Sequence, residues 1–225
     1  MAHSTASPPA ADVICEAARY ALLRRLASAI RHDMMAHLQP IAMSGEVLQR
    51  RLAQPQPDLD QLRESVGRMT GFSRGAVQSC LDVITWLAPE PARVVPAQSV
   101  LLETLELLRS SFGFRGFVLR EGSADAPWPV LRAGLRLLLP ACLFLLCDDA
   151  GPPADVGISA TLQGAQVCIA LVLEPGQGDT AMPAEPSYRP LTRDEVQALA
   201  HAEGLGFSLE GDRIELLVPL AVSQT

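Results

Sequence analysis

Neither lysine nor asparagine occurs anywhere in the 225 residues. Any site whose chemistry demands either one is therefore excluded, including the P-loop lysine and the asparagine that holds Mg²⁺ in many nucleotide pockets. Long apolar runs are also missing. The most lipid-like stretch, Leu135 to Cys147, has Arg136 near its start and Pro140 inside it, and it falls well short of the roughly 20 apolar residues a membrane span needs. The five cysteines, Cys15, Cys80, Cys142, Cys147 and Cys168, are odd in number, form no C-x-x-C and have mostly apolar neighbours. They suggest neither a disulfide framework nor a zinc site, and read as buried thiols in a reducing compartment. A basic stripe is absent too: all 18 basic residues are arginines, placed singly or as the pairs Arg24-Arg25 and Arg50-Arg51, and the formal net charge is −7. That pattern excludes a nucleic-acid footprint. Residues 1–11 are rich in Ser, Pro and Ala, with neither a basic n-region nor an apolar h-region. They read as a flexible tail without a signal peptide, and the expectation is a soluble, cytoplasmic protein with no membrane partner.

What is present is a globular balance, 48% hydrophobic against 19% charged, in a chain long enough for one large domain or two ordinary ones. From Asp12 to about Ala53 apolar residues recur every three or four positions through Leu22, Leu26, Ile30, Met34, Leu38, Ile41, Gly45, Leu48 and Leu52. This spacing predicts one long amphipathic helix. Gln54-Pro55-Gln56-Pro57 stops it. Asp58 is placed to cap a second helix, whose stripe runs through Leu59, Leu62, Val66, Met69, Ser73, Val77, Cys80, Ile84 and Leu87. Two helices cannot enclose a core, so the hairpin is expected to pair with a second copy as a four-helix bundle, giving a homodimer.

After Pro89-Glu90-Pro91 the pattern becomes mixed α/β. Helices are predicted at Pro96 to Ser111, Pro129 to Asp149 and Thr192 to Glu203, the last opened by the capping box Thr192-x-x-Glu195. Strands are predicted at Gly116 to Arg120, Val156 to Leu162, Ala165 to Leu173, Phe207 to Leu209 and Arg213 to Leu220, with a Gly/Pro loop from Glu174 to Pro190. The fold class is thus α+β: a flexible tail over residues 1–11, a helical hairpin over 12–89 and an α/β sandwich over 93–225.

One histidine faces the wrong way for a core. At about 100° per residue, His32 lies roughly 165° from the mean direction of the stripe between Ile30 and Leu52, whereas His37 lies about 55° from it. His32 therefore points to solvent and His37 flanks the packed side. Asp33 follows directly, and a carboxylate that accepts the Nδ1 proton fixes the tautomer that leaves Nε2 free as a nucleophile. Pro40 deletes the backbone bond to the carbonyl of Ala36, so a bend is expected below the histidine. Beside His32, the residues Ser28, Met35, Ala36, Gln39 and Met43 are small, flexible and uncharged, a surface suited to docking a partner.

His32-Asp33 with Leu38-Gln39 and Ile41, followed by an antiparallel second helix, resembles the dimerisation and phosphoacceptor hairpin of sensor histidine kinases, and especially that of kinase-like histidine phosphotransferases. The order of the later segments is similar as well: Pro96 to Glu121 opens an ATP-binding-like domain, Leu131 to Ala150 stands for its asparagine-bearing helix, and Glu174-Pro175-Gly176-Gln177-Gly178 stands for its Asp-x-Gly-x-Gly loop. The family's Glu/Asn pair is matched by Leu145 and Asp149, and its adenine-reading Asp by Glu174; Gly176 and Gly178 remain. The resemblance thus implies a degenerate nucleotide site (Leu145, Asp149, Glu174, Gly176, Gly178) with no cofactor of its own. It implies a phosphotransferase in which His32 relays a phosphoryl group between the aspartates of response-regulator receiver domains, the receiver bringing the Mg²⁺ and no ATP-dependent kinase activity being required. Two other readings stand beside it: a non-catalytic pseudokinase that dimerises and sequesters a response regulator, and an autophosphorylating kinase with an unorthodox pocket.

Overall fold

The computed structural model describes residues 10–87, 92–122, 126–176 and 188–221. The chain divides into two compact units, Met1–Leu26 together with Pro91–Thr225, and Ala27–Glu90. Helix α1 (Ala10–Leu52) belongs to both, running uninterrupted through Pro40. Pro40 does not interrupt the helix, because a mid-helix proline removes a single backbone bond and its neighbours' bonds remain.

Within Ala27–Glu90, α1 is followed by α2 (Leu59–Leu87). Asp58 caps α2 as its position predicts: its carboxylate accepts from the backbone N–H of Asp60 at 2.9 Å and of Gln61 at 3.2 Å. The two helices meet along an antiparallel seam in which Asp33 lies opposite Ser79, His37 opposite Gly75, Gly45 opposite Met69 and Arg51 opposite Ser65. Gly75 is required by a close approach, since a Cβ there would stand 2.6 Å from Nδ1 of His37. His37 is thus the packed histidine of the pair.

The other unit is a two-layer α/β sandwich. After β1 (Val94–Pro96) come α3 (Ala97–Phe114), β2 (Phe117–Glu121), β3 (Pro129–Leu131), α4 (Arg132–Asp148), β4 (Ala154–Gln163), β5 (Gln166–Pro175), α5 (Arg193–Ala202), β6 (Gly206–Glu210) and β7 (Arg213–Pro219). The five-stranded sheet has the order β2-β4-β5-β7-β6; β2 pairs parallel with β4 and the remaining pairs are antiparallel. On β4 and β7 the buried residues alternate, Val156 and Ile158 on one and Ile214, Leu216 and Val218 on the other, as expected of a sheet with helices on one face. Val167, Ile169 and Leu171 of central β5 complete this core with Leu135, Leu138 and Leu139 of α4.

The structure corrects the sequence reading here in two places. Pro129 to Leu131 is not the start of a helix: Leu131 has an extended backbone, and these residues pair antiparallel with β1, a strand not foreseen. Three-residue strands carry too few alternations to show a period. The α5 capping box forms as written, with the Glu195 N–H donating to Thr192 Oγ1 at 3.3 Å and the Thr192 N–H to Glu195 at 2.9 Å. The first turns of α1 pack in this unit, burying Ala18, Ala21, Leu22 and Leu26.

Candidate functional site

His32 is exposed on α1, and among the described residues its imidazole makes no hydrogen bond. Met35, Ala36, Gln39 and Met43 are exposed as well, Met43 at 66%, while Ser28 is half-buried. Residues 28, 32, 35, 36, 39 and 43 fall on one side of a helix with 3.6 residues per turn, away from the residues that meet α2. A partner can therefore reach the imidazole without disturbing the seam.

Asp33 behaves differently from its sequence reading. Its carboxylate is half-buried, and Oδ2 accepts a hydrogen bond from Oγ of Ser79 on α2 at 2.6 Å. The expected bond from His32 Nδ1 to Asp33 is not formed among the described residues. The reason is helical geometry: consecutive side chains diverge by about 100° and do not face each other, so Asp33 turns towards α2 while His32 turns to solvent. Asp33 is thus held through Oδ2, and among the described residues Oδ1 accepts no hydrogen bond.

The residues at the nucleotide-site positions are far from a polar pocket lining. Leu145 is buried in α4, within a run from Leu138 to Cys147 that is buried throughout. Asp149 is exposed at the C-cap of α4, where the macrodipole adds negative rather than positive potential. Glu174 lies in β5 rather than in a loop, in register opposite Asp155, whose carboxylate takes a hydrogen bond from Arg120 at 2.5 Å. Gly176 has a packing reason of its own, because a Cβ there would meet the backbone of Ala154 at 3.0 Å. Gly178 and most of the Gly/Pro loop, residues 177–187, lie outside the described residues. Among the described residues no group of three His, Cys, Asp or Glu is placed to hold a metal, and no helix is long and apolar enough to cross a membrane.

Histidine kinases are among the solved structures that the chain resembles. That of Burkholderia phymatum STM815 is 16% identical, with 89% of this chain and 98% of that one covered at a TM-score of 0.46. The histidine kinase AdeS of Acinetobacter baumannii is 13% identical, with 80% and 96% covered at 0.40. A structure described as a bacterial phosphotransferase is 15% identical, with 95% and 98% covered at 0.34. No protein-family model matches the chain, and no curated protein matches it in sequence. What the chain can do is decided by its own residues.

The core holds two sets of polar residues that sequence reasoning missed. The first is Ser79; its signal was available, since it falls opposite Asp33 once the hairpin is laid out in antiparallel register. The second is an ion cluster in the α/β unit, where both guanidinium nitrogens of Arg25 meet the Asp148 carboxylate, one of them at 2.7 Å, and Arg115 donates to the same carboxylate at 2.8 Å. Arg25 also stacks on the Phe144 ring, 4.3 Å from its centroid. Here no sequence signal existed, because the partners are 123 residues apart. The cysteines are corrected as well: Cys142, Cys147 and Cys168 are buried, but Cys15 is half-buried and Cys80 exposed. Burial raises the Cys142 and Cys168 thiols and pushes Cys147 up to about 12, Asp148 adding to the rise.

Proposed function

We propose that the chain is a dimeric histidine phosphotransferase that carries a phosphoryl group on His32 between receiver-domain aspartates. The observation that carries this reading is an unbonded, exposed imidazole on an uncharged helix face, in a chain whose fold is histidine-kinase-like. In the forward step Nε2 attacks the phosphorus of the receiver's aspartyl phosphate. The Nε2–P bond forms, the acyl P–O bond breaks, and the electron pair leaves with the receiver's carboxylate; the return step is the same displacement reversed. Such transfer depends on positioning and charge neutralisation, which the receiver's own Mg²⁺ supplies. Buried Leu145, the exposed Asp149 at a helix C-terminus and Glu174 within a strand do not fit a nucleotide and its metal, and the function needs neither.

The second copy completes the bundle. Leu38, Leu52, Leu59, Val66, Val77, Leu81 and Ile84 are all exposed on the isolated hairpin, an apolar face that a twofold-related hairpin would cover. Response-regulator receiver domains are the partners, docking at Ser28, Met35, Ala36, Gln39 and Met43. The missing His32–Asp33 bond favours the second reading, a module that binds and sequesters a regulator without accepting phosphate. Transfer of ³²P from a phosphorylated receiver to the wild type but not to His32→Gln supports the phosphotransferase. Stable complex formation without labelling would replace it with the binding module, and labelling by ATP alone would replace it with an autophosphorylating kinase.

A further inference from the structure

We infer that Ser79 is a positioning residue for His32, acting through Asp33; this rests on the phosphoacceptor reading of His32. On α2, Ser65, Thr70 and Thr85 follow the ordinary habit of helical Ser and Thr and bond back one turn: Ser65 Oγ donates to the carbonyl of Gln61 and Thr70 Oγ1 to that of Val66, each at 2.9 Å, and Thr85 Oγ1 to that of Asp82 at 2.7 Å. Ser79 instead reaches across the seam to Asp33 Oδ2 at 2.6 Å, a charge-assisted bond from a side chain only 7% exposed. The surrounding seam is small and apolar, with Ala29 and Ala76 buried nearby. A polar pair at such a place costs desolvation that an alanine pair would not, so its presence there calls for a use.

The use follows from the chemistry. When Nε2 takes a phosphoryl group the ring keeps its Nδ1 proton and gains positive charge. A carboxylate held at a fixed distance stabilises that charge without reorganising as it develops. Among the described residues Asp33 takes no side-chain hydrogen bond from His32 or from any other residue of α1. Ser79 supplies the anchor from the opposite helix, in the buried seam.

The test uses the full chain and a small donor, potassium phosphoramidate, so that no receiver need be identified. The Nε2–P bond forms, the P–N bond of the N-protonated donor breaks, and ammonia leaves with the electron pair. Labelling of His32 is followed by peptide mass spectrometry and expressed relative to exposed His201 on α5 in the same sample, which cancels differences in donor and protein. Ser79→Ala and Ser79→Cys are expected to lower this ratio about tenfold, the low end for loss of an outer-shell orienting bond, while Ser79→Thr, which keeps the donor, retains most of it. Asp33→Asn should lose at least as much, and Ser79→Ala added to it should cost nothing more, because both act through one carboxylate. A wild-type ratio in Ser79→Ala, or in Ser79→Cys where the alanine variant does not fold, overturns the inference, as does an equal loss in Ser79→Thr or a further loss in the double variant. If wild-type His32 labels no faster than His201, it is the phosphoacceptor reading itself that fails.

Discussion

Glycines on a single helix behave oppositely according to what stands over them. Glycine in a helix interior costs about 0.5–1 kcal/mol relative to alanine, so alanine at Gly67 or Gly71, where a Cβ meets nothing within 4 Å, should stabilise the hairpin by about that much. At Gly75 the same change drives a Cβ into the His37 ring. Overpacking of this kind costs about 1–3 kcal/mol, so Gly75→Ala should be destabilising, and adding His37→Ala should return most of the loss. Urea denaturation of the four variants checks this. The buried thiols give a pH dependence of definite sign. Cys142 and Cys147 lie above their ordinary value of 9.0 because burial disfavours the thiolate. Their contribution to stability is therefore complete below pH 9 and is lost as pH rises towards the folded-state values. Each thiol should remove about 1.4 kcal/mol by pH 10. Cys142→Ala with Cys147→Ala, though less stable at pH 7, should show a flatter decline between pH 8.5 and 10.5, and unchanged slopes would contradict the assignment.

Between elements, a buried polar tie joins α1 to α4. Arg25 and Asp148 have side chains only 2% and 3% exposed, and Arg115 shares the same carboxylate. Removing one partner of a buried pair costs about 3–5 kcal/mol because the other is left uncompensated. Asp148→Ala strands two guanidinium groups, whereas Arg25→Met leaves Asp148 paired with Arg115 and keeps an apolar stem over Phe144. Asp148→Ala should therefore be the more destabilising by at least about 1 kcal/mol in chemical denaturation. Equal losses would mean that Arg115 contributes nothing. This ion pair and the Arg25–Phe144 stack tie residues 10–26 to the α/β unit, although they continue the helix that bears His32.

For the whole molecule the open question is what covers the apolar face of the hairpin. Ile84 is 56% exposed, so within one copy Ile84→Asp is a surface change that should leave the fold intact. In the proposed bundle it buries an unpaired charge at a cost of several kcal/mol. Sedimentation at micromolar concentration should show a dimer for the wild type and a monomer for Ile84→Asp, with the melting profile of the α/β unit retained. A sharp dimer for both would refute the bundle.

Two kinds of information separate cleanly in this chain. Long periodic segments with punctuated ends were legible locally: the two hairpin helices, the Asp58 cap, the Thr192-Glu195 box and the outward turn of His32 all follow from spacing and side-chain chemistry within a few residues. The sequence also declared what the nucleotide positions contain, because Leu145 is apolar in any fold. Pairings between distant residues were not legible, since nothing in a linear pattern says which carboxylate a given hydroxyl or guanidinium will meet. Only the folded chain turned Asp33 away from His32 and onto Ser79, set Arg25 against Asp148, placed the His37 ring where Gly75 lacks a side chain and paired Val94–Pro96 with Pro129–Leu131. The physical reason is that periodicity fixes the direction of a side chain about its own axis, while its partner is fixed by the register and packing of a second element.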